Sequence, residues 1–339
     1  MSQDAKQSPL KRLHRGVSSR AYHQCRHALL RSIELLPAPL KFAWRNWVFS
    51  RFSSLFTGTP TFEAWKEAYR YFVTERSTQI DLINLKTIPV PQEITAKKIA
   101  IQAHLFYPQL ANELAQLLAQ FPAPFDLLIS TADQANENFL RSQFASVPQL
   151  QELHIAITPN QGRDLGPLLF GFGTTLLKYD YFAHVHTKKS SGTNQIGDAW
   201  RRYLFEGLLD NTQDRVTKIL GLLDHYGMVY PQRFAPIDVH NCQWQSNWDV
   251  ASAFCASANV PIPSPGYIEF PVGSMFWAKT TALKPLLEQA FTPESFEIEQ
   301  GQTDNTLAHA IERSLSHIAL AQGYRVAIIE PNHWLSYYP

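Results

Sequence analysis

From residue 97 onward, short apolar runs alternate with longer stretches whose apolar residues recur every three or four positions. Ile99–His104, Phe125–Ser130, Leu153–Ile157, Tyr181–His186, Gly227–Tyr230, Gly273–Ala278 and Arg325–Ile329 read as strands. Pro108–Gln120, Glu137–Phe144, Gly162–Leu177, Trp200–Leu209 and Thr303–Ala321 read as the helices between them. In the last of these, Thr303 is the expected N-cap, Leu307, Ile311, Leu315 and Ile318 form the buried stripe, and Gly323 closes the helix. Strand–helix alternation predicts an α/β domain with a mainly parallel sheet. Residues 36–95 read differently, as helical, with Thr61 capping Phe62–Arg76 and the Pro89 and Pro91 segment Ile88–Gln92 serving as a linker. A boundary near residue 96 follows, with a helical region 1–96 and a second domain 97–339.

Composition sharpens this picture. The 339 residues are 45% hydrophobic and 17% charged, with 8 Trp, 13 Tyr and 21 Phe, which weighs against disorder and coiled coil. Cys25, Cys242 and Cys255 show no CxxC spacing, so a reducing compartment fits better than a disulfide framework or zinc cage. The net charge of +1 conceals an asymmetry, because residues 1–55 carry ten basic and two acidic side chains, leaving a mildly acidic remainder. Such an arm implies an anionic partner, and the acidic body argues against nucleic acid. Leu40, Trp44, Val48, Phe52 and Phe56 form an i, i+4 stripe with Lys41, Arg45 and Arg51 off it. The stripe suits either an anionic membrane surface, met through residues 1–56, or the protein's own core. Lys41, Arg45 and Arg51 interrupt the one apolar stretch there and the first thirty residues lack an apolar h-region, so the expected location is cytoplasmic, peripheral on the inner face of the membrane.

Candidate chemistry gathers where the predicted strands end, which is where ligands bind in open α/β sheets. The first strand ends at His104, the second in Ser130, Thr131 and Asp133, and the third in Asn160-Gln161-Gly162-Arg163-Asp164. A turn at Asn160 and Gly162 would set Arg163 and Asp164 at a helix start, either as a local capping pair or as a phosphate grip. His184 and His186 point to one face of the fourth strand, where they either line the cleft or share a divalent metal. Lys188 and Lys189 follow, as exposed loop charges or as cations that neutralise a diphosphate without metal. Trp200 and Arg201 begin a helix after a Ser/Gly/Asn-rich loop and suit sugar stacking and anion contact, unless Trp200 merely packs. Ser274, Trp277 and Gln302 complete an acceptor side. Asp304, in the first turn of the last helix, either caps it or faces the cleft as a general base.

The blocks His104-Leu-Phe-Tyr107, Asn160-x-Gly-Arg-Asp-Leu-Gly-Pro-Leu168, His184-x-His-Thr-Lys-Lys-Ser190, Trp200-Arg201, Phe270-Pro-x-Gly-Ser-Met-Phe-Trp277 and Thr306-Leu-Ala-His-Ala-Ile-Glu-Arg313 together resemble the rhamnan synthesis protein F family, over roughly residues 97–330. The resemblance implies a GT-A-like, Rossmann-type fold and a glycosyltransferase of bacterial rhamnan, lipopolysaccharide O-antigen or related polysaccharide. It implies a nucleotide-sugar donor, with Ser130 to Asp133 near base and ribose and Arg163 and Asp164 near the nucleotide. His184-Val185-His186 stands where many GT-A enzymes carry Asp-x-Asp, so a hard divalent ion loses its oxygen ligands and metal-independent transfer is expected. Asp304 falls in the region of an inverting base, with Asn305 where the family would have Gly. A lipid-linked acceptor would suit the basic arm. Two other readings remain at this level: a catalytically silent assembly subunit at the membrane, and a hydrolase with metal on His184 and His186.

Overall fold

The computed structural model describes residues 19–34, 36, 44–45, 47–49, 51–70, 79–92, 97–187, 196–234, 237, 243–263, 268–302 and 304–330. The chain divides into two compact units, Met1–Tyr69 and Arg70–Pro339. In the first, α1 (Ser19–Glu34) and α2 (Pro60–Arg70) flank a short aromatic segment. Phe49 packs on Phe56, Phe62 and Trp65 at ring separations of 4.9, 5.4 and 5.3 Å, and all four are buried. Val48 and Phe56 of the predicted stripe therefore serve this unit's own core, whereas Trp47, one position off it, is half exposed and stacks on Trp44 at 4.7 Å. Leu40 and Lys41 lie outside the described residues. No helix among the described residues is long and apolar enough to cross a membrane.

The second unit is a mainly parallel eight-stranded sheet with helices on both faces, the Rossmann-type, GT-A-like α/β class expected from the sequence. The strands are β1 (Ile80–Ile83), β2 (Ile99–His104), β3 (Phe125–Thr131), β4 (Leu150–Ile157), β5 (Tyr181–His186), β6 (Met228–Pro231), β7 (Phe276–Lys279) and β8 (Val326–Ile329), in the spatial order β1-β8-β6-β7-β5-β2-β3-β4. One face packs against α3 (Ala111–Leu118), α4 (Glu137–Phe144), α6 (Ile196–Leu209) and α7 (Arg215–Leu222). The other packs against α5 (Leu165–Leu176), α8 (Trp248–Ser257) and α9 (Leu307–Ala321). Central strands β2 and β5 are buried along their whole length, as sheets covered on both sides require.

Three expectations change. Ile80–Ile83 is a strand, paired in parallel with Val326–Ile329, so the sheet unit reaches back across the boundary expected near residue 96. The loop before β7 returns the chain to the sheet at the carboxyl end of β5, where Phe276 pairs with His184, so β7 runs antiparallel to both of its neighbours. The last helix is capped by Thr306, whose hydroxyl accepts from the His309 amide, and not by Thr303, which lies outside the described residues. Asp304 consequently precedes the helix and does not sit in its first turn.

Candidate functional site

Strand register builds the site. Gln102 pairs with His184, and His104 pairs with His186 on one side and Ser130 on the other. Because side chains alternate along a strand, these five polar groups share the sheet face that carries α5 and α9. They sit where Ala100, Leu128 and Phe182 give way to polar residues toward the strand ends. Gly162 and Arg163 then turn the chain into α5 with φ of 69° and 57°. At Gly162 a Cβ would stand 2.6 Å from the Phe296 ring, so only glycine fits this turn.

The turn lowers Asp164 onto the histidines. His184 is fully buried, with Nδ1 2.6 Å from Gln102 Oε1 and Nε2 3.2 Å from Asp164 Oδ2. Gln102 donates to Ser130 Oγ, which also meets His104 Nδ1 at 3.0 Å. Ser274 donates its hydroxyl proton to Asp164, and His186 Nε2 lies 3.8 Å from the same carboxylate. Burial opposes ionisation of Asp164, yet His186, His184 and Ser274 together hold its carboxyl well below the usual carboxylate range. His104 is pushed down to about 4 by burial, against the partial offset of Asp164, so it is a neutral imidazole at pH 7. One buried network thus joins three strands, the start of α5 and the loop before β7.

Above this network lies a cleft of about 620 Å³, bordered by His104, Phe106, Tyr107, Arg163, Asp164, His186, Trp200, Ser274, Gln302, His309 and Glu312, among others. Arg163 Nη1 donates to Gln302 O at 3.2 Å and to His309 Nε2 at 2.9 Å. A guanidinium has no acceptor, so His309 Nε2 carries the lone pair and Nδ1 donates to Thr306 Oγ1 at 2.7 Å. Burial, followed by the charges of Arg163 and Arg313, lowers His309 to about 4 and keeps it in this neutral form.

The sequence-derived candidates divide accordingly. His104, Arg163, Asp164, His186, Trp200, Ser274 and Gln302 border the cleft. Ser130 and His184 lie beneath it in the network, while Thr131 is buried with its hydroxyl on Leu105 O. Asp133 caps a short turn through the Ala135 amide, and Lys188 and Lys189 lie outside the described residues. The Gln302 side chain closes its own loop, accepting from Gln300 N and donating to Ile298 O, so it offers the cleft its backbone carbonyl.

Three candidates are corrected. Trp277 is fully buried against Phe121 on the opposite sheet face and donates to Leu208 O, because it alternates along β7 with Phe276, which packs on the face that carries the site. Arg201 is buried in ion pairs with Glu113 and Asp198, which join α6 to α3 and to its own first turn. Asp304 is outside the cleft lining and is consumed as an acceptor, receiving the Ser246 amide at 3.1 Å, the Ser246 hydroxyl, the Asn247 amide and Arg313 at 3.5 Å. Burial raises its affinity for a proton, but these donors win and hold the carboxyl below its ordinary value, the reverse of what a general base needs.

Among the described residues no group of three or more His, Cys, Asp or Glu could hold a metal ion. Both His184 ring nitrogens are engaged, and His186 Nε2 donates to Gly273 O at 2.9 Å. Pattern reading missed Gln102, His309, Glu299 and Glu312. The glycine-serine pair before β7 was visible, but the pairing that folds it over the histidines was not.

Comparison with known proteins finds matching relatives. The uncharacterized protein WxcX of Xanthomonas campestris pv. campestris is 27% identical over 274 residues in strain B100 and equally in strain ATCC 33913, covering 79% of this chain and 36% of the relative. The chain therefore spans about a third of the length of these curated relatives. A solved structure of a candidate nucleotide-diphospho-sugar transferase from Desulfovibrio desulfuricans G20 is 12% identical, covering 69% of this chain and 81% of that one with a TM-score of 0.30. The family model described as rhamnan synthesis protein F matches residues 69–324, nearly the whole sheet unit, and the chain belongs to that family.

Proposed function

We propose that this chain is a glycosyltransferase that moves a hexosyl group from a nucleotide sugar onto a growing bacterial surface polysaccharide. The observation that supports this best is the convergence of Arg163, His104, His186 and Asp164 in one polar cleft at the carboxyl ends of the parallel strands. A volume near 620 Å³ suits a nucleotide sugar with part of an acceptor. Membership of the rhamnan synthesis protein F family supports polysaccharide synthesis, with rhamnose as the first donor to test and an O-antigen or related glycan as the product.

In this reading the diphosphate leaves toward Arg163, whose planar fork pairs with two phosphate oxygens at once. Preorganised cations of this kind stabilise a leaving group without a metal. Metal-independent transfer is favoured because the histidine nitrogens that would ligate an ion already hold Gln102, Asp164 and Gly273. The acceptor we favour is lipid-linked, met at the cytoplasmic face of the membrane. The excess of basic residues in positions 1–55 and the exposed Trp47 beside Arg45 and Arg51 support that location.

The test is a thermal-shift and calorimetric screen of the full chain against UDP-, GDP- and dTDP-sugars, each with EDTA and with Mn²⁺. A donor at 100 times its Kd adds about 2.7 kcal/mol of stability. Stabilisation by one nucleotide class in EDTA is the expected result. A flat response across the panel overturns the donor assignment, and stabilisation confined to Mn²⁺ overturns the metal-independent mechanism.

A further inference from the structure

Three acidic side chains border the cleft among the described residues: Asp164, Glu299 and Glu312. Their surroundings differ sharply. Asp164 is locked by His184, Ser274 and the nearby His186. Glu299 rises from the loop before α9 and accepts, at 3.1 Å, the backbone amide of Arg163, the residue assigned to the leaving group. Glu312 stands on α9, one turn beyond His309, with 18% of its side chain exposed. Its Oε1 accepts the Gly273 amide at 2.8 Å, and Arg313 Nη1 lies 4.0 Å from Oε2.

The Gly273 peptide explains why this carboxylate is placed so firmly. Its amide holds Glu312 while its carbonyl accepts from His186, so one residue ties α9 to the end of β5. Gly273 has φ 95°, and a Cβ there would stand 2.8 Å from the Trp200 ring, so the loop can make this turn only with glycine. The result is a carboxylate on a rigid helix, with Oε1 on the Gly273 amide, at the side of the cleft formed by Trp200 and the loop before β7.

We propose that Glu312, and not Asp304, is the general base for the sugar acceptor, with Gly273 as its positioning residue. The assignment rests on the transferase reading above. In the step, the acceptor hydroxyl gives its proton to the Glu312 carboxylate, and the oxygen's electron pair forms the bond to the anomeric carbon. The bond between that carbon and the diphosphate oxygen breaks, and its pair leaves with the nucleoside diphosphate toward Arg163. Glu312 ends the turnover as a carboxylic acid and returns the proton to water.

Glu312→Gln keeps an oxygen for the Gly273 amide and removes the basicity, so it tests the chemistry with little disturbance to the loop. The full chain is assayed for nucleoside diphosphate release from UDP-, GDP- and dTDP-sugars with a membrane lipid extract as acceptor source. In parallel, calorimetry measures binding of UDP, GDP and dTDP. The expected result is a loss of about 100-fold or more in kcat with nucleotide affinity unchanged, and disappearance of the acid limb of the kcat/KM profile. Glu312→Asp, a second variant that keeps the carboxylate but shortens its reach, should lower kcat less and retain the acid limb. Transfer by Glu312→Gln within about 3-fold of the parent overturns the base assignment and leaves the transferase reading standing. Loss of nucleotide binding together with kcat also overturns it, since that pattern marks a structural role. A parent protein that neither binds nor turns over any of the donors overturns both.

Discussion

His104 shows how far a single side chain is set by what surrounds it. Its number in the sequence marks only the end of an apolar run, but burial at the border of the cleft lowers its pKa to about 4. Between the ordinary histidine value and about 4, the unfolded chain takes a proton that the folded one refuses. Stability therefore falls as acid is added through that window and is unaffected above it, at a full cost of about 3 kcal/mol. At pH 5 about 2 kcal/mol of this loss should be realised. Urea unfolding of the parent and of His104→Gln at pH 7 and pH 5 checks the sign: the variant should lose about 2 kcal/mol less between the two, and equal losses would refute it. At this scale the sequence was a partial guide. Polar residues at strand ends are conspicuous, so His104, Arg163, Asp164 and His186 were readable. Gln102 was not, because a lone glutamine inside a strand has no signature until register sets it opposite His184.

At the scale of elements, helix α9 depends on groups that precede it. Thr306 accepts the His309 amide, and both oxygens of Glu297 lie 3.1 Å from the Leu307 amide, so two orphan donors of the first turn are met by side chains. Thr306→Ala should cost about 1 kcal/mol by loss of the cap. It also removes the acceptor of His309 Nδ1, so Arg163, held through that histidine, should bind nucleoside diphosphate less tightly. Denaturation and nucleotide titration of the same variant check the two effects, and an unchanged affinity would show that Arg163 is held by Gln302 alone. The sequence located this helix and its buried stripe but chose the cap three residues early. Thr303 and Thr306 both suit an N-cap, and what decides between them is Asp304, drawn away to Ser246 and Asn247. Asn305, where the family resemblance suggested glycine, has φ 60°, a conformation that asparagine tolerates better than most residues, so the substitution preserves the turn.

At the scale of the molecule, the basic aromatic stretch divides its labour. Phe49, Phe56, Phe62 and Trp65 form a core of their own, and Trp47 faces outward at 50% exposure. Phe49→Ala should destabilise the N-terminal unit by about 3–5 kcal/mol. Trp47→Ala should leave its melting unchanged and weaken sedimentation with anionic lipid vesicles at low salt. Equal vesicle binding by Trp47→Ala and the parent would detach the aromatic patch from any membrane role. Of the two possibilities left open by the stripe's periodicity, Val48 and Phe56 take the core, while Trp47 beside them is half exposed, because a helical turn separates faces that a linear pattern cannot rank. The same limit applies to sheet order. Periodicity identified six of the strands in the alternating region closely, but β1 has only four residues and gains its status from a partner far along the chain.

That partnership has a consequence for how the protein is made. Asp81 and Arg325 meet at 2.6 Å across a separation of 244 residues, beside the parallel pairing of β1 with β8. On the ribosome, β1 emerges early and must wait for nearly the entire sheet unit to be synthesised before its neighbour exists. Until then β6 also shows an open edge, since β8 lies between the two. A nascent or clipped chain ending before Val326 therefore carries unpaired backbone at both places, the kind of surface that chaperones shield and proteases recognise. The last strand works as a closing seam, and quality control can read its absence directly from the exposed edge.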